Sequence, residues 1–117
     1  MDPLILYADI VKDRVIEEIK NPRMEKRRYA IGFLGIAGFN EALPALREIL
    51  ADDNEEDYFR ADALESIFLI SKEEGRSLAD DHDSREDFLG YVAKGLLDGS
   101  HEPFKRTYAQ ALTGHHE

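Results

Sequence analysis

The sequence predicts an all-α fold: a short stack of antiparallel helix pairs, about six or seven helices in a single domain over residues 1–117. Three observations predict it. Apolar residues recur at helical spacing along nearly the whole chain, and no strand-like alternation competes. Helix-stopping and helix-starting residues divide the chain into segments of helix length. A short junction between segments recurs, as expected of stacked units that cannot bury their apolar faces alone.

The elements follow in order. Leu4, Ile5, Tyr7, Ala8, Val11, Val15, Ile16 and Ile19 trace one buried face of a first helix. Asn21-Pro22 stops it, because proline lacks an N–H and restricts the residue before it. A second helix is expected over 25–37, with Gly38 just past its end, where a left-handed residue is needed. Gly32 and Gly35 weaken that helix by ~1 kcal/mol each relative to alanine, so they point to a neighbouring helix passing close. Asn40 is expected to cap a third helix ending near Ala51, with Pro44 in its first turn. An acidic loop at 52–57 leads into a fourth helix over 56–71. Residues 72–83 read as an irregular polar insertion holding at most a short turn of helix at 76–79. Ser84 and Asp87 fit a capping box that opens a helix to about Leu97. Ser100 is expected to cap a last helix, with Pro103 in its first turn.

The junction is the most informative pattern. Residues 52–63, DDNEEDYFRADA, and 98–109, DGSHEPFKRTYA, align at an offset of 46. Asp52 then matches Asp98, Tyr58 matches Phe104, Arg60 matches Arg106 and Ala63 matches Ala109. Ile19, Asn21, Arg27 and Ala30 repeat the order upstream, with Arg27 lying 33 residues before Arg60. The longer step to Arg106 is assigned to the insertion near 72–83. Alanine keeps a helix side thin for close packing. The arginine is expected to reach the aspartate ending the previous helix, giving a structural ladder of Asp52 with Arg60 and Asp98 with Arg106. An exposed pair of this kind contributes only ~0–1 kcal/mol, so its role would be register.

Residues 27–67 resemble a HEAT-like repeat of the kind first described in phycobilisome lyases. The pattern stands here as Arg27, Ala30, Leu34-Gly35, Gly38, Ala42-Leu43-Pro44-Ala45-Leu46, Leu50, Asp52, Arg60 and Ala63, with partial copies on either side. The resemblance implies a right-handed stack of helix pairs, an α-solenoid, whose business is protein–protein interaction. It names no single partner or reaction. By the same resemblance, the second helices of the pairs, at 40–51 and 84–98, would line the inner face.

Charge and composition narrow the function. The formal net charge is −10, and all of it lies late in the chain. Residues 1–50 hold 8 basic and 8 acidic side chains, whereas 51–117 hold 7 basic and 17 acidic. Such a surface repels phosphate backbones and attracts basic partners, so nucleic acid is not an expected ligand. No apolar run approaches the ~20 residues of a membrane span, and the N-terminus lacks the basic leader and apolar run of a signal peptide. A cytoplasmic protein is therefore expected. There is no cysteine for disulfides or thiolate metal sites.

Chemistry is sparse. His82, His101, His115 and His116 form no ligand pair at helical spacing. The acidic runs 52–57 and 80–83 lack the glycine and terminal glutamate of a calcium loop. Ser66, Ser71, Ser77, Ser84 and Ser100 sit in no nucleophile motif. Lys26-Arg27-Arg28 is too short a run, in a chain without tryptophan, for a DNA-glycosylase groove. No polar cluster interrupts an apolar run to mark an acid–base pair. No catalytic, cofactor-binding or metal-binding residue is expected.

The expected function is that of a non-enzymatic binding module. Asp53, Glu55, Glu56 and Asp57 in one loop, and Asp80, Asp81, Asp83, Glu86 and Asp87 in another, would rim the binding face, with Tyr91 as an aromatic anchor. Tyr58, Phe59 and Phe68 are assigned to the core or a helix staple. The partner would be a basic protein, foremost a cognate toxin domain, a nuclease for example. Several bacterial immunity proteins are small helical or HEAT-like chains, which favours this by analogy. The alternative is a general HEAT-repeat adaptor or regulatory subunit, and the remote alternative an enzyme using buried carboxylates. Oligomeric state stays open.

Overall fold

The computed structural model describes residues 3–103, and their side chains from Ile10 onward. It is all-helical over this range. Six α-helices follow in order: α1 (Pro3–Glu18), α2 (Arg27–Ala37), α3 (Leu43–Ala51), α4 (Asp57–Ile70), α5 (Lys72–His82) and α6 (Phe88–Asp98). One turn of 3₁₀ helix, Asn40–Ala42, leads into α3.

Helix α4 is the hub, packing against α2, α3, α5 and α6, while α5 also packs against α6. Its residues 60–67 are all buried, because neighbours approach from every side. The core includes Ile19 just past α1, Ile31 and Leu34 from α2, Leu46 and Leu50 from α3, Leu64 and Ile67 from α4, and Leu89, Val92 and Leu96 from α6. Each fully buried aliphatic side chain contributes ~1.5–3 kcal/mol against its exposed state.

The glycine reading of α2 holds at Gly35. A Cβ there would fall 2.6 Å from the Ser66 Cα, so only glycine admits α4 at this crossing. Ser66 uses the approach: its hydroxyl donates to the Ile31 carbonyl at 2.7 Å, satisfying a buried polar group. Gly38 takes φ 75° and closes α2. Its N–H reaches the Gly35 carbonyl, Phe39 N–H reaches the Leu34 carbonyl, and the Phe39 ring meets Phe33 edge-on at 5.9 Å. This is a Schellman ending with its hydrophobic contact.

The expected irregular insertion at 72–83 is a helix. Ser71 caps α5 by accepting from the Glu74 N–H, and Glu73 and Glu74 place negative charge at the helix's positive end. Gly75 and Ala79 are buried and Leu78 half-buried, on one side of α5. The stripe is made of small residues because α5 lies almost against α4, where a Cβ on Gly75 would fall 2.3 Å from the Phe68 Cα. A stripe with one large apolar residue carries too little periodic signal to be read as a helix.

Two caps also differ from expectation. Neither the 3₁₀ turn nor α3 has a side-chain cap: Phe39 and Ala42 hold those positions, so Asn40 is not the cap, and Pro44 lies in the first turn of α3. Helix α6 is capped by Asp87, whose Oδ1 accepts from the Gly90 N–H at 2.9 Å, rather than by Ser84. The last expected helix, with Arg106, lies outside the described residues.

The recurring junction is present with different bonds. Arg60 does not pair with Asp52. It is 4 % exposed and its Nε donates to the Leu50 carbonyl at 2.8 Å, one of the carbonyls left open at the end of α3. Arg27 repeats this bond to the Ile19 carbonyl, also at 2.8 Å. The acid partners come from the loop: Glu55 Oε2 lies 2.9 Å from Arg27 Nη1, and Asp53 lies 3.6 Å from Arg60. The Glu55 contact lies off the N–H direction, so it is a charge pairing rather than a hydrogen bond. The Arg27 guanidinium also stacks on the Phe59 ring at 4.7 Å.

The aligned Asx residues have their own shared task. Asn21, Asp52 and Asp98 each accept from the backbone N–H two residues on, those of Arg23, Asn54 and Ser100, at 2.8–3.0 Å. Each is an Asx turn that bends the chain as it leaves a helix. The expected ladder of Asp52 with Arg60 is therefore two separate devices, a turn and a carbonyl cap. Asp98 serves the first of these, and its counterpart Arg106 lies outside the described residues.

Candidate protein-binding surface

The acidic loops meet at one edge of the fold. Asp57, the first residue of α4, accepts from the Phe88 N–H at 2.9 Å and so ties the 52–57 loop to the start of α6. Arg85 lies between the loops. Its guanidinium grips Asp87 with bonds of 2.7–3.2 Å and feels the charges of Asp53 and Asp57, which raise its pKa further. In return Arg85 holds the Asp87 carboxyl down at about 2, aided by the Gly90 N–H.

Three of the expected contact residues therefore have structural duties. Glu55 neutralises buried Arg27, Asp57 binds the α6 backbone, and Asp87 caps α6. Asp53, Glu56, Asp80, Asp81 and Glu86 are exposed, and Asp83 is half-buried. Asp80 and Asp81 belong to the last turns of α5 rather than to a loop. Within that helix end, burial and the nearby Arg60 and Arg85 push the His82 imidazole below its ordinary range.

Tyr91 is 66 % exposed. Phe88, which the sequence reading passed over, is 39 % exposed and stacks beside it, with ring centroids 6.2 Å apart and planes at 18°. His101 also meets Tyr91, with ring centroids 6.2 Å apart and planes at 82°. The signal for Phe88 lay in the helix register. Leu89, Val92, Ala93 and Leu96 make the buried stripe of α6, and Phe88 and Tyr91, three apart, fall outside it.

Helix α4 carries buried charge. Asp62, 1 % exposed, receives two hydrogen bonds from the Arg28 guanidinium at 2.7 and 3.1 Å. Burial nevertheless pushes the Asp62 carboxyl above its ordinary range, because desolvation outweighs the arginine. Glu65, one turn on, contacts His101 Nε2 at 2.8 Å. The expectation that no polar cluster interrupts an apolar run is corrected here: Asp62, Glu65 and Ser66 interrupt the run of Ala61, Ala63, Leu64 and Ile67, all of them buried. Arg28 comes from α2 and His101 from beyond α6, so nothing local marked the arrangement.

Of the two segments expected to line an inner face, 40–51 packs through α3 chiefly on α4, and 84–98 packs through α6 on α5 and α4. Between α3 and α5 lies an open groove of about 360 Å³, lined by Leu50, Leu78 and His82 and bridged by Arg47 with Glu74 at 2.6–2.7 Å. Among the described residues no group of three or more His, Asp or Glu could hold a metal ion, and no helix is long and apolar enough to cross a membrane.

The class of protein defined by these observations is an all-helical chain with an acidic edge beside an exposed aromatic pair. No known family, no curated protein and no solved structure matches it.

Proposed function

We propose that the chain is a non-enzymatic protein-binding module of HEAT-like architecture, whose acidic edge receives a basic partner. We further propose that this partner is a toxin domain that the chain neutralises. One observation carries the reading: the Asp57 bond to the Phe88 backbone joins both acidic segments to the exposed Phe88 and Tyr91. An aromatic anchor beside an edge of like charge suits a partner of opposite charge, steered in by the field and held by the anchor. The repeat reading draws support from the arginine–carbonyl bond made at both Ile19 and Leu50. We read Asp62 and Glu65 as structural, since Arg28 and His101 contact them.

The test pairs the purified chain with the C-terminal domain of any toxin encoded beside it. Binding is expected, together with loss of the toxin's activity. Replacing exposed Asp53, Glu56 and Glu86 by lysine should slow association about tenfold and flatten its salt dependence. Unchanged association kinetics would remove the acidic edge from the interface. Binding without loss of toxin activity would favour the second reading, a HEAT-type adaptor using the same face.

A further inference from the structure

We infer that the Phe88–Tyr91 pair is a seat for an arginine side chain of a basic protein partner; this rests on the acidic-edge reading and deepens it. The rings lie outside the buried stripe of α6. Helix α6 buries Leu89, Val92, Ala93 and Leu96, and leaves Phe88 and Tyr91 outward. They are held in place nonetheless. The Phe88 backbone is fixed by Asp57, and the rings stack with planes at 18°. His101 braces the Tyr91 ring edge-on, while its own Cβ side is lodged against Gly95, where an added Cβ would fall 2.4 Å away. A preorganised, exposed aromatic face loses little entropy on binding.

Charge chooses the occupant. Exposed Glu86 lies just before Phe88, and Asp57 and Asp87 flank its backbone. Arg85, the cation between the acidic loops, is engaged by Asp87, and Lys94, one turn beyond Tyr91, bounds the negative region. A guanidinium is planar and weakly hydrated, so it stacks on a ring face while donating to carboxylates at its rim; an ammonium does so less well. The same pairing already occurs inside this fold, with Arg27 on Phe59 at 4.7 Å and Arg28 on Tyr58 at 5.4 Å.

The experiment titrates the full chain with a short Arg-Gly repeat peptide and with its Lys-Gly counterpart of equal charge, followed by amide and aromatic NMR shifts. The arginine peptide should bind more tightly by about two- to fivefold per ring engaged, with shifts centred on residues 86–91 and His101. In the Phe88→Ala/Tyr91→Ala variant, whose replaced rings lie outside the core, that preference should vanish while the salt-dependent attraction of both peptides persists. Equal affinity of the two peptides for the native chain would overturn the arginine seat and leave the acidic edge standing. Binding indifferent to Asp53→Lys, Glu56→Lys and Glu86→Lys would overturn both. A dimer in solution that the double alanine variant dissolves would also overturn it, since a second copy would then cover the rings.

Discussion

Replacing Arg60 by methionine tests the junction most directly. Methionine keeps most of the apolar stem and removes the guanidinium. What is lost is one charged hydrogen bond, from Nε to the Leu50 carbonyl at 2.8 Å, at a site where the arginine is buried. Hydrogen bonds to charged groups contribute about 1.5–3 kcal/mol, and the orphaned carbonyl at the end of α3 is shielded from water. Asp53 adds little, because it sits 3.6 Å away with its side chain 92 % exposed. The expected cost of Arg60→Met is therefore about 2 kcal/mol, a fall in Tm on the order of 10 °C. Asp52→Ala loses only an exposed Asx turn and should cost about 0.5 kcal/mol. Urea denaturation of the two single variants and the double variant gives their coupling. Residues that do not touch should add within about 0.5 kcal/mol. A coupling above about 1 kcal/mol would mean that Arg60 does pair with Asp52, and an Arg60→Met variant as stable as the native chain would refute the carbonyl cap itself. Arg27→Met should cost more than Arg60→Met, because it also strands the charge of Glu55, whose side chain is nearly buried.

Three further outcomes are expected. Gly35→Ala should destabilise by about 1–3 kcal/mol, because the new Cβ meets the Ser66 backbone; Gly38→Ala has open space and should lose about 1 kcal/mol to its left-handed φ alone. A Gly35→Ala cost no greater than that of Gly38→Ala, or one abolished by Ser66→Gly, which relieves only the side-chain part of the clash, would argue against the backbone crossing. Asp87→Asn retains a capping oxygen but loses the charge gripped by Arg85, and should cost about 1 kcal/mol at neutral pH after allowance for its partial exposure. Since the folded carboxyl is held at about 2 against 3.8, that advantage is full above pH 4 and fades as pH falls through 2; a pH-independent gap in urea midpoints would contradict it. Asp62 works in the opposite sense. Its folded pKa is raised, so its contribution falls as pH rises from 3.8 through the folded value. Asp62→Asn should gain on the native chain across that window, and a constant difference would show that burial does not dominate.

Much of the local structure was legible in sequence. The helical spacing from Val15 to Ile19, the ending at Gly38 and the thin side at Gly35 are each set by residues within a turn or two of one another. The alignment of Asn21, Asp52 and Asp98 was legible too, as was that of Arg27 with Arg60. What each pair does was not. An arginine eight residues past an aspartate can reach that carboxylate or the carbonyl two residues before it, and spacing alone does not choose. Residues 72–82 were misread because their buried side consists of Gly75, Leu78 and Ala79, whose meaning depends on α4 lying beside them.

The candidate surface divides in the same way. The position of the −10 charge and the candidacy of Tyr91 come from the sequence alone, because charge is additive and tyrosine is by type enriched among binding anchors. That Glu55, Asp57 and Asp87 are committed to the fold, that Phe88 joins Tyr91, and that Asp62 and Glu65 are buried opposite Arg28 and His101 were decided only by tertiary structure. Each of these, except the cap at Asp87, is a contact between residues 28 to 36 positions apart or a choice of which helix face stays uncovered. Local apolar spacing and stop residues set most of the helices, though not α5 or the caps of α3 and α6. The packing around α4 decided which charges are buried inside and which remain exposed.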